Sequence, residues 1–333
     1  MPALFVTGAV AQMPSSEPVP VTVENFIRAE SDTYFAGSVK HRNLGTISHT
    51  REVTPIDHQT TIRNNRDTLY SGGVFDLDAG PVTITLPDPG QRFMALQLVS
   101  QDHYTWPAAY ASNVRTITRK EIGTRYVLVG IRTLVNPADP ADMKKAHALQ
   151  DAIKAEQPGG PGTFEVPQWD PVSQKKVRDA LLVLATTITD TSRSFGLKGE
   201  VDPVQRLIGA ASAWGANPPR DATYLNFMPA KNDGKTIYRL TVKDVPVDGF
   251  WSVSLYNAEG YYQKNDLDAY TLNNITAKKD SNGSAVVQFA GCDGKILNCL
   301  PTMKGWNYMV RLYRPRAEIL NGTWKFPEAQ LVD

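Results

Sequence analysis

The chain has 333 residues, an apolar fraction of 41%, and 35 Lys and Arg against 34 Asp and Glu. That length and apolarity admit two domains with real cores, and the balanced charge argues against the clustered basic surface that nucleic acids require. No Lys/Arg run forms a basic tail, and no apolar run reaches the length of a membrane span.

Residues 1–19 read as a signal-peptide remnant or a flexible tail. Ala3 to Gln12 holds a short apolar stretch and then Ala9-Val10-Ala11, a small-x-small cleavage pattern. The positive segment that usually precedes such a stretch is missing, which a late start site would explain. The plainer reading is a frayed apolar tail. The Pro/Ser/Glu-rich segment from Met13 to Pro20 favours export, and with it a periplasmic or secreted location.

Residues 21–38 follow as a helix, with Thr22 as its cap and Val23, Phe26, Ile27, Glu30 and Tyr34 near the helical period. From about 45 to 135 the period changes to two. Val82 to Leu86 alternates, Pro87-Asp88-Pro89-Gly90 turns, Phe93 to Val99 is a longer strand, and Tyr126 to Ile131 reads as buried on both faces. Asp139-Pro140, Asp170-Pro171 and Asp202-Pro203 each set a capping carboxylate before a proline, whose missing N–H costs nothing at a first helical position. Helices over about 141–156, 171–189 and 203–214 are expected, with a loop at Gln157 to Gly162 and a stop at Gly215. Beyond residue 222 strands return at Lys235–Val245, Gly249–Tyr256, Ala285–Phe289 and Trp306–Tyr313, and Asp280-Ser281-Asn282-Gly283 reads as a primed hairpin turn. The fold class is therefore α+β: a β-rich N-terminal domain carrying a helical segment, 20–217, and a C-terminal antiparallel β-sandwich, 218–333.

The only cysteines, Cys292 and Cys299, flank the turn-forming Asp293-Gly294. A disulfide closing that loop suits an oxidising compartment; two free thiols are the alternative. A metal is not expected there, since no histidine or second cysteine pair lies near.

No nucleophile elbow, zinc helix, P-loop or dinucleotide fingerprint occurs, and the sequence leaves any cofactor unknown. The unusual run is Asn64-Asn65-Arg66-Asp67-Thr68-Leu69-Tyr70-Ser71-Gly72. In a regular strand Arg66, Thr68 and Tyr70 share one face, opposite Asp67, Leu69 and Ser71. Arg66 and Tyr70 can then bind an anionic or carbonyl oxygen. The plainer reading has Asp67 bracing a turn and Arg66 in a structural ion pair. Among five histidines, His103 precedes Tyr104 and Trp106 at what reads as a cleft lip. It is a candidate general base or metal ligand, with a structural histidine as the plainer alternative. In the second unusual run Trp306, Tyr308, Val310 and Leu312 read as core, while Asn307, Met309, Arg311 and Tyr313 make a polar-aromatic face for a cavity or an interface. Phe250, Ser252, Ser254 and Tyr256 oppose Trp251, Val253 and Leu255 in the same way.

These runs resemble a known pair of bacterial domains of unknown function, numbered 1254 and 1214. Asn64 to Ser71 with Phe75-Asp76-Leu77-Asp78-Ala79-Gly80-Pro81 is similar to the hallmark of the first. Gly249-Phe250-Trp251-Ser252-Val253, Gly305-Trp306-Asn307-Tyr308, Arg311-Leu312-Tyr313-Arg314-Pro315 and Asn321 to Pro327 are similar to the second. The resemblance implies an α+β N-terminal part and a jelly-roll-like C-terminal sandwich, often in exported proteins. It supplies no reaction and no catalytic residues.

The leading expectation is an exported protein, with hydrolysis as an option, that binds a small oxygen-rich or anionic molecule between its domains. Arg66 and Arg311 orient the ligand, Tyr70 and Tyr313 donate hydrogen bonds, and Asp67 or His103 serves as acid or base. The rival is a non-catalytic envelope or homo-oligomeric protein in which Arg66 and Arg311 lock an interface. A carbohydrate-binding module using Trp106 or Trp169 is a third reading.

Overall fold

A computed structural model describes residues 17–332, so the export pattern at Ala3 to Gln12 lies outside the described residues. The N-terminal part runs α1 (Phe26–Arg42), β1 (Ser48–Thr50), β2 (Thr68–Asp76), β3 (Val82–Leu86), β4 (Met94–Ser100), β5 (Ala109–Tyr110), β6 (Asn113–Ile117), α2 (Arg119–Ile122), β7 (Tyr126–Leu134), α3 (Pro140–Asp151), β8 (Lys154–Glu156), α4 (Pro171–Ala185) and α5 (Pro203–Ser212). The C-terminal part runs β9 (Ala222–Phe227), β10 (Tyr238–Val242), β11 (Trp251–Tyr256), β12 (Thr271–Asn273), β13 (Ala285–Phe289), β14 (Cys299–Leu300), β15 (Asn307–Tyr313), α6 (Ala317–Leu320) and β16 (Gln330–Leu331).

In the N-terminal part a five-stranded antiparallel sheet, β1-β2-β7-β4-β5, faces a smaller sheet, β6-β3-β8. Phe75, Leu77, Ile84, Leu96, Val129 and Ile131 fill the layer between them. On the other face Phe35 of α1 packs against Val74 and Tyr126, and α1, α4 and α5 share a second core around Phe26, Leu181 and Ile208. Helices on one face and a sheet on the other explain why β2 and β7 are apolar on both faces. Gly72 in β2 is required by close approach: a Cβ there would meet the Val129 carbonyl at 2.5 Å.

In the C-terminal part the sheets β14-β13-β10-β16 and β12-β11-β15-β9 contribute Leu240, Val287 and Phe289 from one side and Trp251, Val253, Tyr308 and Val310 from the other to a single core. All pairings are antiparallel except β13 with β14. Cys292 and Cys299 are joined as a disulfide.

The three Asp-Pro starts behave as their chemistry requires. Asp139 accepts from the Ala141 amide at 2.9 Å, Asp170 from Val172 and Ser173 at 3.2 and 2.9 Å, and Asp202 from Val204 and Gln205 at 3.0 Å each. Other boundaries differ. The first helix starts at Phe26, because Thr22 does not cap it; instead its own amide donates to Asn25 Oδ1 at 2.8 Å in a preceding turn. The helix expected to reach residue 156 stops at Asp151, and Lys154–Glu156 pairs with β3. The Asp280 turn forms, but only Gly283 takes a positive φ, so it is not a primed turn, and the nearest strands on either side, β12 and β13, belong to different sheets.

Candidate functional site

The two halves meet where the β2-β7-β4 surface opposes β15 and β9. Residues of β15 alternate as a strand must. Tyr308, Val310 and Leu312 enter the C-terminal core, while Met309, Arg311 and Tyr313 face the N-terminal half. The polar-aromatic face read from the sequence is thus the face turned toward the other half.

Arg311 is 2% exposed and fully committed. Its guanidinium donates to Ser254 Oγ at 2.8 Å, Tyr256 Oη at 2.7 Å and the backbone carbonyls of Arg63 and Asn64 at 2.7 and 3.1 Å. It pins the segment before β2 onto the C-terminal sheet. Arg66 does not join it. The Arg66 guanidinium donates to the Thr54 carbonyl and lies over the rings of Tyr270, 5.2 Å away, and Tyr262, 6.0 Å away. The two arginines therefore share no cavity.

Asp67 is fully buried. Its Oδ1 accepts from Thr271 Oγ1 at 3.1 Å and Asn273 Nδ2 at 3.0 Å, bracing β12 against the start of β2, while Oδ2 has no protein partner among the described residues. His103 is not on a cleft lip. It is buried between Trp214, stacked at 5.5 Å, and the edge of Phe195, and its Nε2 accepts from the Gly215 amide at 2.9 Å. That bond leaves the proton on Nδ1. Burial and the neighbouring Arg206 push its pKa down to about 3. No group of three or more potential metal ligands occurs among the described residues. Trp169 donates to Asp32 at 3.0 Å and packs against the helical core, and Trp106 packs partly buried against the N-terminal core.

Tyr70 and Tyr313 do converge. Asn65 Nδ2 donates to both phenol oxygens at 3.2 Å, joining the segment before β2 to β15 across 248 positions of chain where Tyr313 is concerned. The cation beside them is one the sequence reading missed. Arg132 on β7 is the cross-strand partner of Tyr70, so both point from the same face, and its guanidinium lies 5.5 Å from the centre of the Tyr70 ring. Arg132 donates to Gln97 Oε1 at 2.6 Å and reaches Asn217 Oδ1 at 3.4 Å, and no ion pair among the described residues includes it. Burial opposes its charge, but the Tyr70, Tyr224 and Tyr313 phenols hold the guanidinium above its ordinary value. Burial alone would raise the Tyr70 phenol. Arg132, hydrogen bonds with Thr68 and Asn65, and Arg311 together bring it below the ordinary phenol value. Tyr110, which donates to Asp221 at 2.8 Å, and Tyr313 are both raised, chiefly by burial. The void beside Arg132 holds about 10 Å³ for water centres, inside about 220 Å³ that includes its mouth. It admits one water or one ligand oxygen. The available sequence signal for Arg132 was a lone charge inside Tyr126 to Leu134, a strand otherwise apolar on both faces.

A second, larger opening lies nearby. Ile56 and Asp57 of the N-terminal half and Asn257, Tyr262, Gln263 and Tyr270 of the C-terminal half line about 410 Å³.

The chain is of the mixed α/β kind just described, and its two halves carry two family matches in the order the motifs implied. Residues 44–130 match the family described as protein of unknown function DUF1254, and residues 226–317 match protein of unknown function DUF1214. Among solved structures, the VPA0106 protein from Vibrio parahaemolyticus is similar at 19% identity over 93% of this chain and 98% of that one, with a TM-score of 0.70. An uncharacterised protein from Burkholderia cenocepacia is similar at 12% identity over 93% and 87%, with a TM-score of 0.51. These likenesses show the fold. No curated protein matches the chain. No described helix is long and apolar enough to cross a membrane.

Proposed function

We propose that this chain is an exported protein that binds a small oxygen-rich or anionic molecule at the seam between its halves, with Arg132 supplying the charge and Tyr313, Tyr110, Gln97 and Asn217 lining the polar wall. One observation carries the reading: a half-buried guanidinium in no ion pair among the described residues, beside a void of one-oxygen size lined by phenols, amides and Asp221, whose carboxylate oxygens are taken by the Ala108 amide and the Tyr110 hydroxyl. The disulfide supports export, and two facing sheets over one core support a jelly-roll-like C-terminal half. The proposal stops at binding, because His103 faces the helical layer and Asp67 is held by Thr271 and Asn273.

A second reading, a non-catalytic envelope protein, draws on Arg311 and Arg66, whose guanidiniums hold backbone carbonyls. Thermal melting against citrate, malate and phosphate separates the two. Ligand at about 100 times its Kd stabilises by about 2.7 kcal/mol. The binding reading expects such a rise for at least one anion with the native chain and its loss in Arg132→Gln, which stays folded. A rise that survives Arg132→Gln, or none with any of the anions, refutes it.

A further inference from the structure

The void beside Arg132 opens in one direction. Most of its lining is buried, Gln97, Asn217, Asp221 and Tyr313 included, and only Ala108, Tyr110 and Arg132 are partly exposed. Solvent therefore enters past Ala108 and Tyr110. Arg314 lies at that edge. Its guanidinium sits over the Tyr110 ring, 4.3 Å from the centre. It is half-buried and in no ion pair among the described residues. Burial and Asp221 raise the Tyr110 phenol, and Arg314 and Arg132 both pull against that rise, so one phenol feels both cations.

The backbone is bent to bring Arg314 there. In a regular strand it would share a face with Leu312, which fills the C-terminal core. Instead Arg314 has a φ of 51°, a left-handed value uncommon for a non-glycine residue and kept only where the surroundings impose it. Its amide donates to the Asp221 carbonyl and its carbonyl accepts from the Asp248 amide, both at 2.9 Å. The side chain thereby leaves the alternation of β15 and reaches β5 of the N-terminal half. The Arg311-Leu312-Tyr313-Arg314-Pro315 run thus gives Tyr313 to the wall of the void and Arg314 to its mouth.

We infer that Arg314 is the second anion-binding residue of the seam, and that the ligand is a small dicarboxylic acid with one carboxylate on Arg132 and the other on Arg314. The inference deepens the binding proposed above and rests on it. A void of about 10 Å³ for water centres admits one carboxylate oxygen, not a whole acid. The rest of the ligand stays at the mouth, where a monocarboxylate would leave the outer guanidinium unused. Stacking on Tyr110 occupies a face of that guanidinium and leaves the N–H donors in its plane free to form a fork with a carboxylate. Two guanidiniums stand against the single carboxylate of Asp221, whose oxygens already accept from Ala108 and Tyr110, so the mouth keeps its positive charge.

Calorimetric titration of the full chain at constant ionic strength tests it, comparing malate with 2-hydroxybutyrate and succinate with butyrate. The members of each pair differ in whether the chain ends on a carboxylate or a methyl group. Each diacid should bind about tenfold more tightly than its partner, or better. Arg314→Gln should erase that preference by weakening the diacids, and Arg314→Lys should restore part of it. Arg316→Gln, two positions on and already paired with Asp248 at 2.7 Å, should leave the preference intact. Arg132→Gln should abolish binding of every acid. Equal affinities within each pair overturn the inference, as does a preference that survives Arg314→Gln or falls equally in Arg316→Gln. In those cases the Arg132 reading still stands if Arg132→Gln abolishes binding. Binding of none of the acids, or binding that survives Arg132→Gln, overturns the seam reading itself and this inference with it.

Discussion

Arg311→Met should cost the fold about 3–5 kcal/mol, read as a lower denaturant midpoint. The guanidinium supplies hydrogen bonds to two carbonyls, a serine and a tyrosine in a setting closed to water. Methionine fills much of the volume but donates nothing, so the Arg63 carbonyl is left without its buried partner at about 1–3 kcal/mol and Ser254 Oγ loses a donor. The Tyr256 hydroxyl still donates to the Asn64 carbonyl at 2.7 Å, so those two groups keep each other as partners. Because these contacts tie the segment before β2 to β11 and β15, the variant should also expose that segment to protease. A midpoint within 1 kcal/mol of the native chain's would show that the seam holds without this arginine.

The second large effect is on acid stability. His103 has a folded pKa near 3 against an ordinary 6.5, so between those values the unfolded chain binds the extra proton. The sign follows: stability from this residue is whole above about pH 6.5 and falls as pH drops toward 3, by about 1.4 kcal/mol per unit and about 2 kcal/mol by pH 5. The groups facing it oppose protonation. Arg206 adds positive charge, Trp214 and Phe195 are apolar, and the Gly215 amide already occupies Nε2. His103→Gln, which can still accept from Gly215, should be less stable at neutral pH but lose less between pH 6.5 and 5. Parallel stability profiles for the two proteins would contradict the buried neutral histidine.

Periodicity and caps made much of the architecture legible before any coordinates. The Asp-Pro starts worked because a carboxylate, two free amides and a proline make a local unit that needs no tertiary help. The alternation of Trp306 to Tyr313 split core from seam correctly, because a strand has only two faces. The position of α1 was misread, its length of 17 residues less so. Thr22 is drawn into a turn on Asn25 Oδ1, the helix starts at Phe26 and runs to Arg42, and propensity does not resolve such a displacement of both ends. The site was half legible. Tyr70 and Tyr313 were visible as polar residues inside apolar strands, but Arg132 lies one position past the strand expected at Tyr126 to Ile131, which in the structure runs on to Leu134. Which arginine is free depends on partners: Arg311 and Arg66 found backbone carbonyls and rings in distant loops, and no local pattern carries that information. His103 looked like a lip residue because its neighbours are aromatic, whereas those aromatics belong to the packing that buries it.

The account rests on an unneutralised Arg132 acting on whatever lies beside it. Its most direct test is the titration of the Tyr70 phenol, followed by carbon NMR of labelled tyrosine and assigned with Tyr70→Phe. The native chain should show Tyr70 ionising below the ordinary phenol value of 10.0. Arg132→Gln should move it upward, and saturation with an anion seated on Arg132 should do the same, because a bound negative charge cancels the guanidinium field. A Tyr70 that ionises at or above 10.0 in the native chain, indifferent to both the substitution and the anion, would contradict the account.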